Sequence, residues 1–208
     1  MSSTLTFYDH PASGHSRRVR CVLRHLSTQH TLPVETVTVD LFAGAQRQPD
    51  YLAINPNGVV PALKTPDGIL WESVAIVHYL AETFPSSLLP TSAFGRADAL
   101  RWGVWTQANL SRVQAVYLFQ NYLKGAYGMG PADPQVLAGV ESDLKKYLTV
   151  LDNHLASRAF LCGDTPTVAD YVTACTYDTH GVAGMPVAGF DNLAHWAARV
   201  AALPGWGA

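Results

Sequence analysis

A serine that follows a proline and opens a helix presents a hydroxyl with the unpaired amides of a first helical turn behind it. Ser13 stands that way in the stretch HPASGHSRRVR (His10 to Arg20), and Ser16 follows close behind. Such a hydroxyl accepts a bond from the orphan amides as a cap, or donates one to a bound anion. With two serines at the junction, one is able to cap while the other faces a cleft. A serine without a base is a poor nucleophile. His15 is near, but the glycines of a nucleophile elbow are missing. The chemistry open to Ser13 is donation to a thiolate that another molecule brings.

Three other stretches carry groups suited to a ligand. In NPNGVVPAL (55–63), Asn55-Pro56-Asn57-Gly58 is a turn, and Pro61 interrupts what would be a strand. Proline removes a ladder amide, so it belongs at an edge, at a bulge or at a cis bond. An edge strand with the Val60 amide and carbonyl free is able to pair with an extended peptide. In ESVAI (72–76), Glu72 and Ser73 stand where a helix begins, and its amides with the Ser73 hydroxyl suit a carboxylate. In GAQRQ (44–48), Gln46 and Arg47 occupy a polar loop, where Arg47 is able to hold a second carboxylate. Together these describe a cleft for a short, extended, dianionic peptide that carries a thiol.

The elements that must position these groups change character along the chain. TLTFY (4–8) reads as a strand, and Val19, Val22, Leu23 and Leu26 fall at helical spacing. VETVTVD (34–40) reads as a second strand, Val34, Thr36 and Thr38 alternating with Glu35, Val37 and Val39. Strand–helix–strand in so short a span predicts a βαβ unit with parallel pairing. VVPALKTPDGILW (59–71) reads as a hairpin about Pro66-Asp67-Gly68, and residues 72–84 as a helix with Ala75, Ile76, Tyr79 and Leu80 on one face. The Pro/Ser-rich run that follows is a natural linker. Beyond it the chain reads as helical: Leu137, Val140, Leu144, Leu148, Leu151 and Leu155 keep a three/four spacing. Thr167-Val168-Ala169-Asp170 has the form of a capping box, which makes Asp170 structural rather than catalytic.

The sequence therefore predicts two domains: residues 1–84 as βαβ–ββα, 85–93 as linker, and 94–208 as an all-α domain. A chain of 208 residues with 48% hydrophobic residues has enough material for real cores. A formal charge of −2 argues against a general nucleic-acid or membrane-surface binder. Cys21, Cys162 and Cys175 are odd in number and widely spaced, with no C-x-x-C, so neither a disulfide framework nor a metal is expected. A reducing, cytoplasmic setting fits that usage. No apolar run is long enough to span a bilayer, and the N-terminus lacks the form of a signal peptide.

The whole chain resembles the cytosolic glutathione transferases: a thioredoxin-like glutathione-binding domain, then an all-helical domain that contributes the electrophile site. HPASGHSRRV resembles the phi-class and related bacterial serine-type pattern, which implies that Ser13 contacts the glutathione sulfur. NPNGVVPAL resembles the family's Asn-Pro-x-Gly-x-Val-Pro segment, implying a cis Pro61 and a Val60 bonded to the cysteinyl backbone. ESVAI resembles its Glu-Ser-x-Ala-Ile, implying that Glu72 and Ser73 hold the γ-glutamyl end. GDTPTVADY resembles the folding motif of the helical domain. Gln46-Arg47 replaces the family's His-Lys pair, so Arg47 keeps the charge and Gln46 only its hydrogen bonding; Val59 replaces a glutamine.

The resemblance implies a detoxifying transferase, a homodimer, that activates glutathione as a thiolate for attack on small apolar electrophiles, or acts on hydroperoxides. Tyr8 and Ser16 are the rival thiolate donors. Trp102, Trp105, Tyr117, Phe119 and Tyr122 divide between core and an apolar pocket, with Asn109 as a polar contact. The alternatives are a non-catalytic binding or assembly module on the same fold, and a glutathione-dependent isomerase or dehalogenase.

Overall fold

The computed structural model describes residues 4–207. They fall into two compact units: the first runs through Leu89 and takes in the chain from Leu203 onward, and the second is Pro90–Ala202.

The first unit begins with β1 (Leu5–Asp9), α1 (Gly14–Ser27) and β2 (Val34–Thr38). β1 and β2 pair in parallel, so α1 is the crossover of a βαβ unit. β1 alternates, with Leu5, Phe7 and Asp9 buried and Thr6 and Tyr8 half-buried on the opposite face. A 3₁₀ turn (Ala45–Arg47) and the short α2 (Pro49–Leu52) follow, in a segment that reads only as a polar loop in the sequence. The hairpin β3 (Ala62–Thr65) and β4 (Gly68–Trp71) comes next, then α3 (Ser73–Thr83). Strand order is β2-β1-β3-β4, with β3 antiparallel to both neighbours. This is the thioredoxin-like arrangement.

Two expectations need correction. β3 is an interior strand, so Pro61 is not an edge-strand proline; the ladder begins only at Ala62, and the Val60–Pro61 bond before it is cis. The buried face of α3 is Val74, Ile76, Val77, Leu80 and Ala81, while Ala75 is exposed and Tyr79 half-buried. The segment SVAIVHYLA is apolar nearly all round, so its periodicity does not select a face.

The second unit is helical. α4 (Ala93–Trp105), a π turn (Thr106–Leu110), α5 (Ser111–Leu118), a second π turn (Phe119–Leu123) and α6 (Lys124–Ala126) form one continuous run. α7 (Pro134–Leu155), α8 (Val168–Tyr177), α9 (His180–Ala183) and α10 (Asp191–Ala201) follow. Leu144, Leu148, Leu151 and Leu155 bury the stripe on α7. Polar pairs join the α4–α6 run to α8 and to the start of α9: Thr106 Oγ1 lies 2.7 Å from Thr173 Oγ1, and Gln114 Nε2 donates to Oγ1 of Thr179, the N-cap of α9, at 2.9 Å. The capping box forms at Thr167, and the Asp170 carboxylate accepts from the Leu161 and Thr167 amides, Thr167 Oγ1 and Trp196 Nε1. Asp170 is thus a fully buried structural acid.

Candidate active site

The register of the sheet brings the chain segments that lead to the candidate residues of the first unit to one end. Val37, Tyr8, Ala62 and Trp71 form a row across the four strands. β1 and β2 leave that row toward Ser13 and toward the Gln46–Arg47 loop, β3 enters it from Val60-Pro61, and β4 leaves it into Glu72-Ser73. Chain segments that converge at one end of a sheet, with two helices starting there, make a crevice with amide donors in its walls.

Ser13 is the N-cap of α1, and its Oγ accepts from the Ser16 amide at 3.1 Å. Capping uses a lone pair and leaves the hydroxyl proton to donate, so cap and donor are compatible roles for one oxygen. Accepting a bond also polarises the O–H and strengthens its donation. The turn that delivers Ser13 is clamped from α1: the Arg20 guanidinium pairs with Asp9 Oδ1 at 2.5 Å and donates to the carbonyls of His10 at 3.1 Å and Pro11 at 2.9 Å. Ser16 is fully buried, and its hydroxyl has no partner among the described residues. Tyr8 is half-buried on the α2 side of the sheet, its ring edge-on to Tyr51 at 6.0 Å.

The loop from Asn55 is built by its own side chains. Asn55 Nδ2 and Tyr51 Oη donate to the Val59 carbonyl at 2.7 and 2.8 Å, and Gly58 takes the left-handed φ of 62° that the turn needs. Burial pushes the Tyr51 phenol up to about 12, so it stays a donor at physiological pH. Val60 packs beneath with Val39 and Tyr51, while Val59 is exposed. Gln46 belongs to the same neighbourhood: a Cβ added at Gly58 would lie 3.2 Å from its carbonyl oxygen. Gln46 Nε2 donates to the Leu41 carbonyl at 3.3 Å, and Oε1 has no partner among the described residues. Arg47 is exposed.

Glu72 is the N-cap of α3 and the non-glycine residue with positive φ among the described residues, at 74°. Such a conformation costs on the order of 1–3 kcal/mol and persists only where surroundings enforce it. Ser73 opens α3 and is buried, its Oγ accepting from Arg18 Nη1 at 3.1 Å. Arg18 is a residue that the sequence reading misses. In the structure Arg18, Val22 and His25 share the buried face of α1 with Val19 and Leu26.

In the second unit Trp102 and Tyr117 are buried, Trp105 is half-buried against Trp102 and Tyr147, and Phe119 and Tyr122 are exposed. Asn109, in the first π turn, donates from Nδ2 to the carbonyl of Trp105, the last residue of α4, at 2.9 Å. Among the described residues, no group of three or more metal-ligating side chains occurs, and no helix is long and apolar enough to cross a membrane.

A thioredoxin-like unit, with a serine-capped helix opening at one end of its sheet, is followed by an all-helical unit. Residues 7–88 match the glutathione S-transferase N-terminal domain, and residues 118–204 match its C-terminal domain. Glutathione S-transferase 3 of Zea mays is 36% identical over 172 residues, which cover 80% of this chain and 73% of that protein. Two solved structures are similar along nearly the whole chain. A possible glutathione S-transferase from Rhodopseudomonas palustris superimposes with a TM-score of 0.86 at 31% identity, covering 99% of this chain and 90% of that one. Glutathione transferase F7 from Populus trichocarpa gives a TM-score of 0.84 at 28% identity, covering 98% and 96%. The chain belongs to the glutathione S-transferase family.

Proposed function

We propose that the chain binds glutathione in its first unit and activates the thiol as a thiolate for attack on small apolar electrophiles. The observation that carries this reading is the convergence of Ser13, Gln46-Arg47, Val60-Pro61 and Glu72-Ser73 at one end of the sheet. In this reading Ser13 donates to the sulfur, Val60 pairs with the cysteinyl backbone, Glu72 and Ser73 take the γ-glutamyl end, and Gln46 and Arg47 take the glycine carboxylate.

A free cysteine thiol has a pKa near ~8.5, so little of it is thiolate at neutral pH. The outward proton of Ser13 and the positive end of the fourteen-residue α1 both stabilise the anion. The thiol proton leaves to solvent, and the thiolate attacks the electrophile and displaces its leaving group. Each unit by which the pKa falls corresponds to about 1.4 kcal/mol of preference for the anion. The active form in this reading is a cytoplasmic homodimer; Cys21, Cys162 and Cys175 form no disulfide among the described residues, which suits a reducing compartment.

Calorimetric titration with glutathione, followed by a spectrophotometric assay with a chlorinated nitrobenzene, tests the reading. Saturable binding with turnover is the expected result. Absence of binding heat overturns it, and binding without turnover across several electrophiles leaves only a binding module.

A further inference from the structure

Arg18 is 2% exposed and bears a guanidinium that stays charged at any physiological pH. It lies on the core stripe of α1, one turn beyond the Ser13 cap. Its Nη1 is 3.1 Å from Ser73 Oγ and 3.1 Å from His15 Nδ1. A guanidinium nitrogen only donates. Ser73 Oγ therefore accepts here, and its own proton is left for a second acceptor. His15 Nδ1 accepts as well, which places the ring proton on Nε2. A guanidinium N–H directed at Nδ1 leaves no room for a proton on that nitrogen, so the geometry itself fixes this sense. One nitrogen thus grips the first turn of α1 and the first residue of α3. Ser73 is itself 2% exposed. A carboxylate would be received by the first amides of α3 with the hydroxyl directly beneath them, and a cation one bond further back is complementary to that charge.

We propose that Arg18 is the positioning residue for the carboxylate at the γ-glutamyl end of glutathione: it holds the Ser73 hydroxyl with its proton turned to the ligand and locks the mouths of α1 and α3 together. This rests on the glutathione reading above. The probes are glutathione and an analogue in which the γ-glutamyl α-carboxylate is replaced by hydrogen, titrated calorimetrically into the full chain. The wild type should prefer glutathione by about tenfold or more, the scale of a charge-assisted contact. In Arg18→Met the preference should fall to near parity, because glutathione weakens and the analogue does not. Turnover at saturating glutathione should change less than about threefold. Arg18→Lys should restore part of the preference.

An Arg18→Met protein that keeps the wild-type preference, or that weakens both ligands equally, overturns the assignment. Should Arg18→Met fail to fold, as judged by its thermal melt, Arg18→Lys decides: a preference below that of the wild type supports the assignment, and the full wild-type preference overturns it. Wild-type protein that binds neither ligand overturns the glutathione reading and this inference with it. Wild-type discrimination that survives in the Arg18 variants overturns this inference alone.

Discussion

The Ser13 oxygen accepts from the Ser16 amide and keeps its own proton, so replacing it removes a cap and a donor together. Ser13→Ala should cost the helix about 1 kcal/mol, small enough to leave the protein folded. It should lower kcat/KM for conjugation by roughly 10- to 100-fold, the scale of one hydrogen bond to a charged acceptor. The direction in pH follows from the chemistry: without the donor the bound thiol holds its proton longer, so the rising limb of the kcat/KM profile moves to higher pH. A profile that stays in place assigns the donor elsewhere, and Tyr8→Phe is the next variant to measure. The chain's own thiols behave in the opposite way. Cys21 and Cys175 are buried, and burial pushes the Cys162 thiol up to about 12. At pH 8 only about one Cys162 in ten thousand is thiolate. Folded protein should react with iodoacetamide at least about a hundredfold more slowly than free glutathione, and denaturant should abolish the difference. Fast labelling of Cys162 in the native protein at pH 8 would contradict this.

At the scale of the elements, α8 hangs on one carboxylate. Four donors converge on Asp170 from Leu161, Thr167 and Trp196, so Asp170→Ala strands all four in the core. Stability should fall by at least about 3 kcal/mol, read as a lower denaturant midpoint at unchanged slope. A loss under 1 kcal/mol would show that the donors find other partners. This box was legible in four letters because a capping box is local chemistry. Apart from the short α2 and the 3₁₀ turn before it, the order of strands and helices in the first unit was legible too, since period and turn residues mark each boundary. Pairing was not: whether β3 lies inside the sheet or at its edge depends on where β4 docks, which no local pattern contains. Arg18 stayed hidden because it stands among Arg17, Arg20 and Arg24, and burial, not residue type, distinguishes it. The π turns carry no proline or glycine, so nothing in their composition announces them. The candidate residues themselves were readable as motifs, but their convergence required the register of the sheet.

At the scale of the whole molecule, the chain's last described residues return to its first unit. Leu203 onward clusters there: Arg17 lies 4.4 Å above the Trp206 ring, and Arg24 Nη1 donates to the Gly207 carbonyl. Trp206→Ala should therefore speed hydrogen exchange of the α1 amides between Arg17 and Arg24 and lower stability by about 0.5–1 kcal/mol. Exchange unchanged in α1 would show that this segment lies there without holding it. Nothing in the pattern of Leu203-Pro204-Gly205-Trp206 announces such a return. It follows that a knife drawn along the chain does not separate the units. A fragment stopped at Leu89 would bare one flank of its own first helix, and a faithful transplant of that unit would have to splice residues 203–207 back on.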